Sequence, residues 1–138
     1  MPSLQETLDV KTSGRRFYDV TEEVSAVVAR SRVTTGLCVV FCTHTSAGLV
    51  IQENADPNVQ KDLLAFLDAI APEHAGYAHD DEGPDDMPSH IKAALLRTSE
   101  TVPVAGGRLV LGTWQGLFLV EHRRRAHVRR LVVHVSGE

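Results

Sequence analysis

Three histidines in the 138-residue chain, His44, His79 and His90, stand where an imidazole can take part in chemistry. His44 ends the run Gly36 to His44, whose β-branched and apolar residues read as a strand. Parity divides that run into Leu37, Val39 and Phe41 on one face and Cys38, Val40, Cys42 and His44 on the other. Leu37, Val39 and Phe41 are expected in the core. The second face is also largely apolar, so the strand is expected to be central, with His44 emerging at its end. His79 opens the acidic stretch His79-Asp80-Asp81-Glu82-Gly83, and His90 follows eleven residues later on a helical pattern. Strand end, acidic loop and helix can bring the three rings to one divalent metal, as in open zinc sites with three protein ligands. A hard-ion alternative is Mg²⁺ held by Asp80, Asp81 or Asp85 together with a phosphate.

Other residues suit a ligand rather than a metal. Thr45, Ser46, Ala47 and Gly48 offer hydroxyls and backbone N–H groups to an anion. Glu53 and Asn54 precede Asp56-Pro57, where a helix start presents free N–H groups that Asp56 itself competes for. Trp114, in Gly112-Thr113-Trp114-Gln115-Gly116, is a large aromatic at a tight corner that a ring-shaped ligand or a neighbouring subunit would cover. Glu121 shares a strand face with Leu117 and Leu119 and therefore needs a cationic partner. Arg123 can meet a phosphate by bidentate contacts.

The positioning elements follow from periodicity. Residues 3–20 read as one or two strands turning at Gly14. Thr21 is expected to cap a helix over 21–32, with Glu22 and Glu23 in its first turn and Val24, Val27 and Val28 on one face. Strands are expected at 33–45 and at 49–52, the second pairing with the first. Asp56-Pro57 starts a helix carrying Val59, Leu63, Phe66, Leu67 and Ile70. A polar loop over 73–86 leads to a helix opened by Pro88, and strands near 107–114, 117–123 and 129–136 close the chain. Interspersed helices and a final antiparallel run indicate one α+β domain over residues 1–138.

Composition excludes several classes. Hydrophobic residues are 43% and charged residues 23%, ordinary for a globular protein. No apolar run approaches the roughly 20 residues of a membrane helix, and no secretory signal is visible, so a cytoplasmic protein without a membrane partner is expected. Cys38 and Cys42 on one strand are about 13 Å apart, too far to bridge. The net charge of −4 argues against nucleic-acid binding, and the basic corner Arg123–Arg130 lacks the interleaved aromatics that stack on bases.

Several blocks together resemble the YjbQ family: His44-Thr45-Ser46-Ala47, Glu53-Asn54-Ala55-Asp56-Pro57, Glu82 to Lys92, Leu111 to Gly116, and Glu121-His122-Arg123. The resemblance covers nearly the whole chain. It implies packed mixed or antiparallel β-sheets with helices on one side, assembled as a homotrimer with sites near subunit boundaries. It implies that His44, His79 and His90 share a polar pocket with a bound divalent metal, Zn or Mg. The family is often labelled secondary thiamine-phosphate synthase, an activity joining a pyrimidine diphosphate to a thiazole phosphate with loss of pyrophosphate. On that reading His44, His90 and Glu121 are the catalytic candidates. Ser46, Asn54, Trp114, Gln115 and Arg123 would bind a small phosphorylated metabolite. The alternative is a trimeric protein that binds a metal or phosphometabolite without turnover. The chain departs from the family pattern at Asp85-Asp86-Met87, where relatives often carry Asn before Met. It departs again after His122, where Arg-rich sequence replaces a common Gly-Pro.

Overall fold

The computed structural model describes residues 2–138 as two antiparallel sheets and three helices. Strand β1 (Ser3–Thr12) turns at Gly14, whose φ of +96° suits glycine, into β2 (Arg16–Asp19). Helix α1 (Thr21–Ser31) leads to β3 (Thr35–Cys42) and β4 (Ala47–Glu53). Helices α2 (Pro57–Ile70) and α3 (Asp86–Leu95) follow, then β5 (Ser99–Ala105), β6 (Arg108–Leu109), β7 (Gln115–Glu121) and β8 (His127–Gly137). The larger sheet has the order β1-β8-β3-β5-β6 and the smaller β2-β7-β4. This is the expected α+β architecture, and every described strand pairing is antiparallel.

Alternation along the strands builds two apolar layers. Leu117 and Leu119 of β7 and Ala47 and Leu49 of β4 face the inner side of the large sheet. There they meet Cys38, Val40, Leu131, Val133 and Val135, with Val24, Val27 and Val28 of α1 closing the layer. Phe118 and Val120 point the opposite way, to Phe17 and to Leu63 and Leu64 of α2. All three helices thus lie on one side of the large sheet.

Four expectations need correction. Leu37 and Phe41 are not core: they are 50% and 45% exposed on the outer face of the large sheet, which this chain leaves uncovered. Both faces of β3 are apolar, so parity alone could not choose between them. Strand β4 does not pair with β3 but crosses to the other sheet, where Ala47 lies opposite Glu121 and Glu53 opposite Gln115. Thr21 is the first helical residue rather than the cap; Asp19 Oδ1 accepts its N–H at 2.9 Å, while its own hydroxyl accepts the Leu117 N–H at 2.9 Å. Strand β5 runs through Pro103, and only two residues of the expected 107–114 strand are extended. Near the sheet edge the missing proline N–H is tolerated, and the Pro103 carbonyl accepts the Val110 N–H.

Candidate metal centre

Helix α3 begins two residues earlier than the proline suggested, and that shift defines the site. With Asp86 as its first residue, Asp86 and His90 stand at i and i+4 on one face. Asp86 is 3% exposed, and its two oxygens divide their work. Oδ1 accepts from Arg123 Nη1 at 2.6 Å. Oδ2 faces two imidazoles, 2.7 Å from His79 Nε2 and 3.2 Å from His90 Nε2. His90 Nδ1 lies 2.7 Å from the Thr45 carbonyl. A carbonyl only accepts, so the Nδ1 carries a proton and the Nε2 is the nitrogen that faces Asp86. Glu82 Oε2 is 3.1 Å from His79 Nε2 and extends the donor set outward.

The acidic loop is strapped down by arginines. Arg123 donates through Nε to Asp85 Oδ2 (3.1 Å) and through Nη2 to the Glu82 carbonyl (3.0 Å), besides its bond to Asp86. Arg124 reaches Glu73 Oε2 at 2.7 Å. Burial works to raise the Asp86 pKa, but the bond from His79 and the charges of His90 and Arg123 outweigh it and hold the carboxyl below its usual range. The hydrogen bond to Asp86, reinforced by Asp81 and Glu82, raises the His79 pKa. A cavity of about 440 Å³ opens beside His79, lined also by His74, Tyr77, Asp80, Pro84 and Met87.

His44 does not join this cluster. Its Nε2 accepts the Arg130 N–H at 2.7 Å, which places the proton of the neutral ring on Nδ1. Burial, and then the Arg129 charge, lower its pKa. It lines a separate cavity of about 240 Å³ with Asp9, Thr43, Val128 and Arg130. Glu121 has the cationic partner its face demanded. Arg129 donates to both its oxygens, Nε to Oε1 at 2.7 Å and Nη2 to Oε2 at 2.5 Å, while Thr12 Oγ1 and the Arg123 N–H fill the remaining acceptor positions. Ser46 Oγ accepts from Arg129 Nη2 at 2.9 Å.

The remaining candidates sit elsewhere. Asn54 Nδ2 donates to the Gln115 carbonyl at 3.3 Å, and Gln115 Oε1 accepts the Gly112 N–H at 2.8 Å, so both side chains pin the turn that carries Trp114. Trp114 is 64% exposed. It precedes β7 whereas Arg123 follows it, and a seven-residue strand separates the two ends by about 20 Å. The N-terminus of α2 is satisfied by the chain's own carboxylates. Asp56 Oδ1 accepts the Asn58 N–H at 2.9 Å, and Glu53 Oε2 accepts those of Ala55 and Asp56.

The profile of the UPF0047 YjbQ-like family matches residues 6–138. This chain belongs to the YjbQ-like UPF0047 family. A UPF0047 protein of Synechocystis is 54% identical over 135 residues, covering 97% of this chain and 92% of the relative. The YjbQ protein of Escherichia coli O157:H7 is 44% identical and covers 97% and 98%. Among solved structures, an uncharacterised YjbQ/UPF0047 protein of Clostridium acetobutylicum superposes with a TM-score of 0.89 at 39% identity, covering 95% of this chain and 99% of that one. A protein of unknown function from Sulfolobus solfataricus gives 0.87 at 27%, covering 99% of each chain. Within this family frame, the residue that sequence reasoning missed is Asp86. In the sequence it stands out only as a departure from the family pattern, and its i,i+4 relation to His90 becomes visible once the helix is started at Asp86.

Proposed function

We propose that this YjbQ-like protein is an enzyme that binds one divalent transition metal through His79, Asp86 and His90 and acts on a small phosphorylated metabolite. The thiamine-phosphate-synthase reaction of the family label is the specific activity to test. The observation that carries the reading is Asp86 Oδ2 lying 2.7 and 3.2 Å from two imidazole Nε2 atoms while Arg123 holds Oδ1. Two imidazoles and one carboxylate suit zinc or a similar borderline ion better than magnesium, which prefers an all-oxygen shell. The outer partners fit as well: His90 donates Nδ1–H to a carbonyl and the carboxylate is hydrogen-bonded, as metal ligands commonly are. Such an ion would supply Lewis-acid neutralisation of a phosphate or pyrophosphate charge.

The chain's own residues set the rest. Arg123 fixes Asp86 and the loop, so it acts on the site through Asp86 rather than by a free guanidinium. His44, neutral with an Nδ1 proton, serves as a hydrogen-bond donor at the neighbouring cavity. The Trp114 turn lies at the opposite end of β7, and a homotrimer would allow one copy's turn to approach another copy's metal end. The uncovered apolar face bearing Leu37, Phe41 and Val128 supports such an assembly.

A second reading, a trimeric binding protein without turnover, is favoured by one observation. The acceptor positions of Glu121 and most donors of Arg123 are already filled within the chain, leaving neither free for a substrate. Purified protein should contain close to one equivalent of transition metal by elemental analysis, lost in Asp86→Asn and His90→Ala. It should also form thiamine phosphate from the pyrimidine diphosphate and thiazole phosphate. Stoichiometric metal with a rate equal to a heat-killed control rejects the enzyme and leaves the binding protein. Absence of metal after exposure to zinc rejects the metal site and with it the enzyme proposed here.

A further inference from the structure

Behind the metal helix lies a second polar cavity, of about 70 Å³, lined by Arg15, Asp68, Lys92, Glu121 and His122 with Leu64 and Leu67. Lys92 belongs to α3, two residues beyond His90, and is 4% exposed. Its ammonium has one protein partner, Asp68 Oδ1 at 2.5 Å, although it carries three donors. The same oxygen also accepts Arg15 Nη1 at 2.5 Å. Two cations therefore share one carboxylate. Glu121, the other acid in the lining, is balanced by Arg129, and its acceptor positions are occupied. The cavity keeps an excess of one positive charge.

The second observation is independent of that balance. His122 is 1% exposed, and its Nε2 is buried without a hydrogen-bond partner. A buried polar nitrogen without a partner forfeits the hydrogen bonds it would make to water, so native proteins rarely leave one without an occupant to meet it. From these groups we infer that the cavity is a binding site for one small monoanion of halide size, held by Lys92 Nζ, Arg15 and the His122 Nε2–H. Burial, and then the Lys92 charge, lower the His122 pKa to about 3, so the ring is neutral and presents one N–H. Ligand pockets for organic metabolites begin near roughly 300 Å³, so neither a nucleotide nor a thiazole phosphate fits. The inference does not depend on the metal centre or its reaction.

Bromide is the probe. Crystals of the full chain grown in sodium bromide should show an anomalous peak in this cavity at hydrogen-bond distance from Lys92 and His122. In solution, the thermal midpoint should rise saturably with sodium bromide relative to sodium gluconate at equal ionic strength, as binding to the native state alone requires. Lys92→Met should weaken the apparent affinity at least tenfold, and His122→Phe, which removes the nitrogen and fills the space, should abolish the halide increment. Water density in place of an anomalous peak overturns the inference. So does a peak without a saturable solution effect, which marks an adventitious ion only, or a halide increment unchanged in Lys92→Met.

Discussion

Replacing Arg129 with methionine isolates the interaction that rivets the two sheets together. Glu121 lies on β7 of the small sheet and Arg129 on β8 of the large one, while Thr12 of β1 and Ser46 beside β4 complete the network. Glu121 is 0% exposed and Arg129 4%. Arg129→Met removes both guanidinium bonds and leaves an uncompensated charge with only the Thr12 hydroxyl and the Arg123 N–H as donors. Breaking one side of a buried pair costs about 3–5 kcal/mol, a large fraction of the stability of a domain this size. Glu121→Leu alone should cost a similar amount, because Arg129 is then buried with only Ser46 for company. The double variant, with neither charge, should lose less than the sum of the singles by several kcal/mol. Urea unfolding at pH 7 with matched slopes measures all four corners of the cycle. The Arg129→Met deficit should also shrink towards pH 5. Burial without a cation raises the folded pKa of Glu121, so protonation on acidification relieves the isolated charge. A single-variant cost below about 1 kcal/mol, or additivity within about 0.5 kcal/mol, refutes the rivet.

His122 gives a pH prediction of definite sign. Its folded pKa is depressed to about 3, so the unfolded chain binds more protons below about pH 6.5 and stability falls as pH falls through that window. By pH 5 the loss is on the order of 2 kcal/mol. The difference in acid slope between wild type and His122→Leu, measured by urea unfolding in gluconate buffer, should recover that amount; equal slopes contradict it. Arg123→Met frees Asp86 Oδ1 and unstraps the loop, and calorimetric titration should show zinc affinity falling roughly 10–100-fold, the usual effect of losing an outer partner. Gly36→Ala places a methyl group against the Ser136 carbonyl and the Gly137 backbone, with no side chain to move aside. It should cost about 3 kcal/mol, the upper end for overpacking, and a loss under about 0.5 kcal/mol would show that the strands can separate at that point.

What was legible in the sequence was mostly local. Asp56-Pro57 marked α2, and Asp56 caps the Asn58 N–H as its position implied. The valine stripe of α1 faces the core, and the Gly14 turn is where the chain reverses. The failures share a cause, which is that the deciding partner lies far away in sequence. Strand β3 is apolar on both faces, and the packing of the small sheet, with Leu117 and Leu119 of β7 far along the chain, determines which one is core. No strand is expected over 99–105, yet β5 runs through Pro103 beside the two-residue β6. At the site, Glu121 announced its need of a partner, but nothing in the spacing singled out Arg129 from five nearby arginines. His79 and His90 come together through Asp86, which was concealed by a helix start placed at Pro88.

The last turn of β7 explains why these features act on one another. Three successive residues reach three destinations: Glu121 turns to Arg129, His122 to the cavity behind α3, and Arg123 to Asp85 and Asp86. Glu121 and Arg123 are linked directly, since Glu121 Oε2 accepts the Arg123 N–H at 3.1 Å. The carboxylate that holds the sheets together therefore also sets where the Arg123 guanidinium begins, and Arg123 in turn fixes which Asp86 oxygen faces the imidazoles. Glu121→Gln keeps the shape but weakens the charge-assisted bonds, so Arg123 should sit less firmly and the metal donors with it. Zinc affinity in this variant should fall by less than in Arg123→Met, yet clearly more than in a surface control such as Lys61→Met. If Glu121→Gln binds zinc within twofold of wild type while losing stability, the rivet and the proposed metal site are separate devices and the coupling through β7 is wrong.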